Sequence, residues 1–206
     1  LNSIFDVVSD DEIRLAICEN AAFSPEKRNS FFAQQLKRRD SELRSRVARS
    51  EYIEEPHQEI LVKDIDDGVR ASLAANPYLK DRFAAVLAND SAEDVRWGLA
   101  RNTAVNLDLL AKLTWDQFHW VRSEAAGNLR DRISLQDLNR LVGDRHEGVR
   151  YALACSDFLR NDSLSVLAKD KSWSVRSALA SNRSLNWEAV SALLRDKRLE
   201  VVGSLI

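Results

Sequence analysis

The sequence predicts an all-α fold, an α-solenoid of about eight two-helix repeats with a period of 26, and three observations carry that prediction. The dipeptide valine-arginine recurs as Val69-Arg70, Val95-Arg96, Val121-Arg122, Val149-Arg150 and Val175-Arg176, at equal steps except the third, which is longer by two. Asparagine or serine stands seven residues after the valine position, as Asn20, Ser50, Asn76, Asn102, Asn128, Ser156 and Asn182. Aspartate stands five residues before it, as Asp64, Asp90, Asp116, Asp144, Asp170 and Asp196. Self-similarity at a period between 20 and 50 residues is the mark of a stacked repeat array. Related units at Ile13-Arg14, Leu43-Arg44 and Val201-Val202 extend it to the whole chain, read as a single repeat domain over 1–206.

Each element of the unit has a local cause. At 100° per residue, the valine, the leucine four on (Leu73, Leu99, Leu153, Leu179) and the alanine five on (Ala74, Ala100, Ala154, Ala180) share one apolar arc of a helix. The asparagine should stop that helix in a left-handed turn, which Pro77 reinforces after Asn76. An apolar anchor follows (Phe23, Ile53, Leu79, Val105, Leu159, Leu185), then an N-cap at Ser24, Asn106, Ser134, Asn161 or Asn186 that opens a second helix. Neither helix reaches the roughly 12 to 15 residues that make an isolated helix even marginal, so neighbouring units must hold each other. Two departures stand out: a longer first step, from Ile13 to Leu43, with a long basic helix around Lys27 to Asp40, and two extra residues in Arg130 to Ile133.

The arginine lies 100° from the valine, inside the apolar arc, so its guanidinium needs carboxylate or carbonyl partners. The aspartate six residues earlier is the evident candidate, and the planar fork of arginine can bridge acceptors in its own unit and the next. The expectation is a structural ladder of Asp64, Arg70, Asp90, Arg96, Asp116, Arg122, Asp144, Arg150, Asp170 and Arg176, with a ligand-facing role for these arginines as the alternative.

The unit D-x4-V-R-x2-L-A-x-N-x2-L-x7-L, read with some variation in Asp90 to Leu113, resembles the leucine-rich repeat variant family, an α-helical relative of HEAT-type repeats. The resemblance covers nearly all of the chain, although the period is slightly longer than that family's usual unit. It implies a right-handed superhelix of alternating helices and no enzyme activity. The cysteine cluster of the family's iron-sulfur members has no counterpart here, so no cofactor carries over.

Composition narrows the function classes. Hydrophobic residues make up 45% and charged residues 30% of the chain, which fits an ordered helical protein and not a disordered one. A net charge of −2 disfavours a nucleic-acid-binding role, since binding a polyanion usually shows as a basic excess. No apolar run approaches the roughly 18 residues of a membrane span. Two cysteines, Cys18 and Cys155, lie five repeat steps apart, so a disulfide between them is not expected and a reducing cytoplasm is. The apolar last residues Val201, Val202, Leu205 and Ile206 lack a polar cap, which points to a fragment of a longer protein.

No catalytic motif is present, and His57, His119 and His146 fall in different units without metal-ligand spacing. What varies on the fixed frame is aromatic: Phe118, His119 and Trp120 in one turn, Trp173 in another, and Trp97 and Tyr151 two residues after their valines, where other units carry small residues. These six residues are the candidate partner site, the alternative being rings that cover a wider gap near the two-residue insertion. The expected function is a non-catalytic scaffold that binds a protein or peptide. The alternatives are a nucleic-acid-binding HEAT-like module, to which His119-Trp120-Val121-Arg122 bears a short similarity, and a spacer that self-associates end to end.

Overall fold

The computed structural model describes residues 1–129 and 133–206, and every regular element among them is an α-helix. Arg130, Asp131 and Arg132, three of the residues assigned to the insertion, lie outside the described residues. The chain forms two compact units, Leu1–Val105 and Asn106–Ile206.

In the first unit, α1 (Asn2–Val7) precedes the valine-position helices α2 (Asp11–Cys18), α4 (Ser41–Arg49), α6 (Asp67–Ala74) and α8 (Glu93–Arg101). They alternate with the return helices α3 (Pro25–Gln35), α5 (Glu55–Leu61) and α7 (Asp81–Leu87). The valine helices α4, α6 and α8 pack side by side in sequence, each also resting on the return helix before it. Val69, Leu73, Ala74, Val95, Leu99 and Ala100 are fully buried at this seam. Burying each leucine contributes roughly 1.5–3 kcal/mol, so the stacked faces carry helices too short to stand alone. Gly98 sets how closely α6 and α8 approach, because a Cβ there would lie 2.8 Å from the carbonyl oxygen of Ala71.

The second unit repeats the alternation with return helices α9 (Leu107–Leu113), α11 (Leu135–Val142), α13 (Asn161–Leu167) and α15 (Trp187–Leu193). Its valine helices are α10 (His119–Asn128), α12 (Glu147–Ala154), α14 (Trp173–Ala180) and α16 (Leu199–Gly203). These too pack in order, α10 on α12, α12 on α14 and α14 on α16, over buried Val121, Val149, Leu153, Val175, Leu179 and Val201.

The caps follow from residue chemistry. Asp10, Asp40 and Asp66 accept backbone N–H groups at the starts of α2, α4 and α6, while Ser24, Asn106, Ser134 and Asn186 cap return helices. Asn161 departs from expectation: Arg160 is the N-cap and Asn161 the first helical residue, its Oδ1 accepting from Asn186 Nδ2 at 3.1 Å. The basic helix of the long first step is also shorter than the sequence suggests. It ends at Gln35, and Lys37 to Arg39 lie in the turn before α4.

The asparagines do more than stop helices, and not in a left-handed conformation. No described non-glycine residue has positive φ, and Asn102 is extended at φ −75° and ψ 106°. Its Nδ2 donates to the carbonyls of Ala74 (2.9 Å) and Asn76 (2.7 Å) one repeat back, while its Oδ1 accepts from Ala104 N. Asn76 makes the same pair to Ala48 and Ser50, and Asn182 to Ala154 and Ser156. The side chain thus satisfies carbonyls left over at the preceding helix end and ties consecutive repeats together.

Candidate functional site

The arginine register is satisfied with the same geometry in both units. Arg70 Nε and Nη2 donate to the two carboxylate oxygens of Asp90 at 2.7 and 2.9 Å, and its Nη1 donates to the carbonyl of Asp64 at 2.7 Å. Arg44 holds Asp64 in this way, Arg122 holds Asp144, Arg150 holds Asp170 and Arg176 holds Asp196. Arg96 donates to the carbonyls of Asp90 and Ser91, and Asp116 accepts from Phe118 N and, through its carbonyl, from Arg122. The aspartate six residues before an arginine therefore supplies its backbone carbonyl, and the carboxylate comes from the aspartate of the following turn, as Asp90 does for Arg70 and Asp144 for Arg122. That division follows from where the aspartate stands: its carboxylate faces back to the previous arginine and caps the N–H two residues on, leaving the carbonyl for its own helix.

These contacts tune ionisation. For Asp64, Asp90, Asp144 and Asp170, burial pushes the carboxyl pKa up, but guanidinium and backbone N–H bonds outweigh it and hold each below its ordinary value near 3.8. Hydrogen bonds to the carboxylates raise Arg44, Arg70, Arg122, Arg150 and Arg176 in turn. Charges this well matched and enclosed have no acceptor capacity to spare for a ligand.

The opposite face of the valine helices is formed by positions two, three and six after the valine, which the helical period places across the axis from the apolar arc. In the first unit it holds a groove of about 490 Å³ whose floor is Ala71, Ala75 and Gly98 and whose wall is Trp97, with Arg101 at 4.7 Å over the ring. In the second unit a groove of about 490 Å³ runs between Tyr151 and Trp173 over Ser177, Ala178 and Ser181. Both rings are 46% exposed, which is unusual for residues that profit so much from burial.

The six aromatic candidates are thus distributed. Trp97 walls the first groove, and Tyr151 and Trp173 wall the second. Phe118, His119 and Trp120 form a separate cluster at the start of α10, with ring centroids 4.8 Å apart for Phe118 and Trp120 and 4.9 Å for His119 and Trp120. His119 also lies against His146, and burial and then this second imidazole lower its pKa. Sequence reasoning did not single out Arg49, Arg101, Cys155 or Ser181, the groove residues six after the valine position. Their signal was available: that position varies between glutamate, arginine, alanine, glycine, cysteine and serine and falls on the same face as Trp97 and Tyr151.

The remaining polar groups have packing roles. His57 is buried against Phe32, its Nδ1 accepts from Glu54 N, and burial lowers its pKa. Cys18 is fully buried, which pushes its thiol up to about 11, whereas Cys155 is exposed on the second groove. Among the described residues no three or more His, Cys, Asp and Glu gather as a metal site would require, and no helix is long and apolar enough to cross a membrane.

No protein-family model matches the chain, and no curated protein does. Among solved structures it is similar to one described as a leucine-rich repeat variant with a novel repetitive protein structural motif. That similarity has a TM-score of 0.66 and 24% identity over 90% of this chain and 76% of the other. The architecture is therefore that of a leucine-rich repeat variant, a fold of stacked helical repeats.

Proposed function

We propose that the chain is a non-catalytic repeat scaffold that binds a protein or peptide on the small-residue face of its valine helices. The observation that carries this is the pair of exposed rings, Tyr151 and Trp173, facing each other across a groove floored by serine and alanine. Aromatic side chains in a cleft bring much apolar area with little rotamer entropy to lose, which is how binding anchors are built. The floor is held from behind: Arg150 and Arg176 fix α12 and α14 to the turns that follow, and Asn182 ties α14 to α12. A groove on a stiff frame loses little conformational freedom on occupancy.

Two features fit the chain to a reducing interior: a buried Cys18 of raised pKa and an unpaired, exposed Cys155. The short similarity of His119-Trp120-Val121-Arg122 to nucleic-acid-binding repeats lends no support to that alternative. Val121 belongs to the core, and Arg122 is engaged with Asp144.

Affinity capture with the intact chain and with a Trp97→Ala, Tyr151→Ala, Trp173→Ala triple variant tests the proposal. The triple variant should keep its helical circular dichroism and lose the captured partner. Equal capture by both forms would dismiss this face as the binding surface.

A further inference from the structure

The grooves of the two units differ in charge. The second is lined by neutral residues, whereas the first carries Arg49 and Arg101 on one edge and Asp94 on the other. Both arginines are exposed at the C-terminal ends of their helices, α4 and α8. Among the described residues no carboxylate pairs with either. Arg49 Nε donates to Ser72 Oγ at 3.3 Å, and Arg101 lies over the Trp97 ring. Three other arginines of this unit that reach the surface are neutralised, Arg38 by Asp11, Arg46 by Glu12 and Arg82 by Glu55. Between the two guanidinium groups, α6 and the turn after it contribute Ala71, Ser72, Ala75, Asn76 and Pro77, so a gap with a largely apolar, uncharged floor separates two cations.

We propose that this groove takes an extended acidic segment of a partner protein, with an apolar side chain seated on Ala71, Ala75 and Trp97 and carboxylates on Arg49 and Arg101. The inference rests on the reading of the valine-helix face as a protein-binding surface and adds the chemistry of what binds. Guanidinium forks suit paired carboxylates, and a desolvating indole beside the fork strengthens that contact. Valine helices stack at roughly 8–10 Å, so the two arginines, two repeats apart, are roughly 16–20 Å from each other. An extended chain rises about 3.3 Å per residue and alternates its side chains between two faces, so acidic residues that both face the groove should stand about six apart, with the apolar residue two or four positions after the first. A nucleic-acid backbone fits less well: it would bring a charge at every step against two fixed cations and past the carboxylate of Asp94.

The test is fluorescence anisotropy of the intact chain with a fluorescein-labelled peptide that places two glutamates six apart, with a leucine two residues after the first, in an otherwise uncharged sequence. Saturable binding is expected, weakened about tenfold when both glutamates become glutamine, about tenfold by Arg49→Gln with Arg101→Gln, and further by added salt. Asp94→Asn should tighten it a few fold, a gain that a merely structural role for these side chains would not produce. Equal binding of the glutamate and glutamine peptides, with both lost in Trp97→Ala, would overturn the acidic preference and leave a peptide-binding face standing. Absence of binding to either peptide would overturn the acidic inference alone, since the capture experiment reads the other independently. Tighter binding of a duplex oligonucleotide in competition would overturn it in favour of a polyanion.

Discussion

Arg14 and Arg70 stand at the same step of their repeats, one residue after Ile13 and Val69, yet different chemistry accommodates them. Arg70 is bidentate on Asp90 and donates to the Asp64 carbonyl, whereas Arg14 lies 5.0 Å from the Phe5 ring centroid and 6.0 Å from that of Phe31. Its Nε has no hydrogen-bond partner among the described residues. Ile13 is 52% exposed where Val69 is fully buried, and Leu15 takes over the core position. The carboxylate rung is missing because no aspartate stands five before Leu43: Arg38 occupies that position, its carbonyl accepting from Arg44 Nη1 as that of Asp64 does from Arg70, and Asp40 caps Glu42 and Leu43. The lesson is that the ladder is not required by the helix pair itself. A carboxylate holds the half-buried guanidinium where an aspartate stands in the following turn, as for Arg70, and ring faces take its place where none does, as for Arg14.

The largest effect should come from opening an enclosed rung. In Asp170→Ala the buried guanidinium of Arg150 loses the carboxylate that pairs with it, and the cost should be about 3–5 kcal/mol of unfolding free energy in a denaturant titration. Arg14→Leu should cost less than about 1 kcal/mol, because its ring contacts are replaced by aliphatic ones. Equal losses for the two variants would break the comparison. Replacing the whole rung, Arg150→Met with Asp170→Leu, should restore most of the stability lost in Asp170→Ala.

Acid reads the same contrast without mutation. Asp64, Asp90, Asp144 and Asp170 titrate below about 3.8 when folded, so the unfolded chain takes up those protons first as pH falls. The stabilisation they give is complete above about pH 4 and is lost as pH drops through the folded values. Hydrogen exchange on lowering pH should therefore rise first in α6, α12 and α14, which rungs hold, and later in α2. Acid exchange that begins in α2 would show that the ladder does not set acid stability.

A second substitution sharpens the comparison at the same end of the chain. Where the asparagine rung would fall at Ser50, the carbonyls of Cys18 and Asn20 are taken by Arg28, whose Nε and Nη2 donate at 2.7 and 2.8 Å while its guanidinium stacks on Tyr52. The two acceptors are those that Asn76 and Asn102 serve one and two repeats later. Arg28→Met should cost about 1–3 kcal/mol by leaving them unsatisfied. Ser50→Asn in that background should recover about half, since an amide at that position reaches the same carbonyls. No recovery would show that Arg28 acts through its ring contact alone.

How much of this could be read beforehand depends on whether a contact repeats. The helix pairs, the buried Val-Leu-Ala arc and the aspartate register recur at fixed spacing, so periodicity exposes them. The partner of each arginine is less legible, because a six-residue spacing looks local, whereas stacking brings in the aspartate of the next turn, as with Arg70 and Asp90. The asparagine is a turn former by composition, and only the adjacent repeat reveals that it serves two carbonyls there. Arg28 could not have been found at all, since it replaces a missing asparagine from a different helix with a different residue type. The grooves were half legible: Trp97 and Tyr151 break a small-residue column, but Arg49 and Arg101 end helices where arginine is ordinary.

Two glycines separate an enclosed helix from an open one by the sign of the effect, the smaller of the two at Gly203. Gly98→Ala drives a methyl into the Ala71 carbonyl at 2.8 Å, which parts α6 from α8 and should cost about 1–3 kcal/mol. It should also loosen the first groove, whose floor includes Gly98, and so weaken any ligand that needs Trp97 and Ala75 together. Gly203 lies in α16 with nothing within 4 Å of where a Cβ would be, so Gly203→Ala meets no neighbour. There the helix preference of alanine acts alone and should add about 0.5–1 kcal/mol, seen as slower exchange in α16. Two substitutions identical on paper then move stability in opposite directions because one position faces a neighbouring backbone and the other faces solvent. Loss of stability in Gly203→Ala would mean that α16 is more tightly packed than its surroundings show.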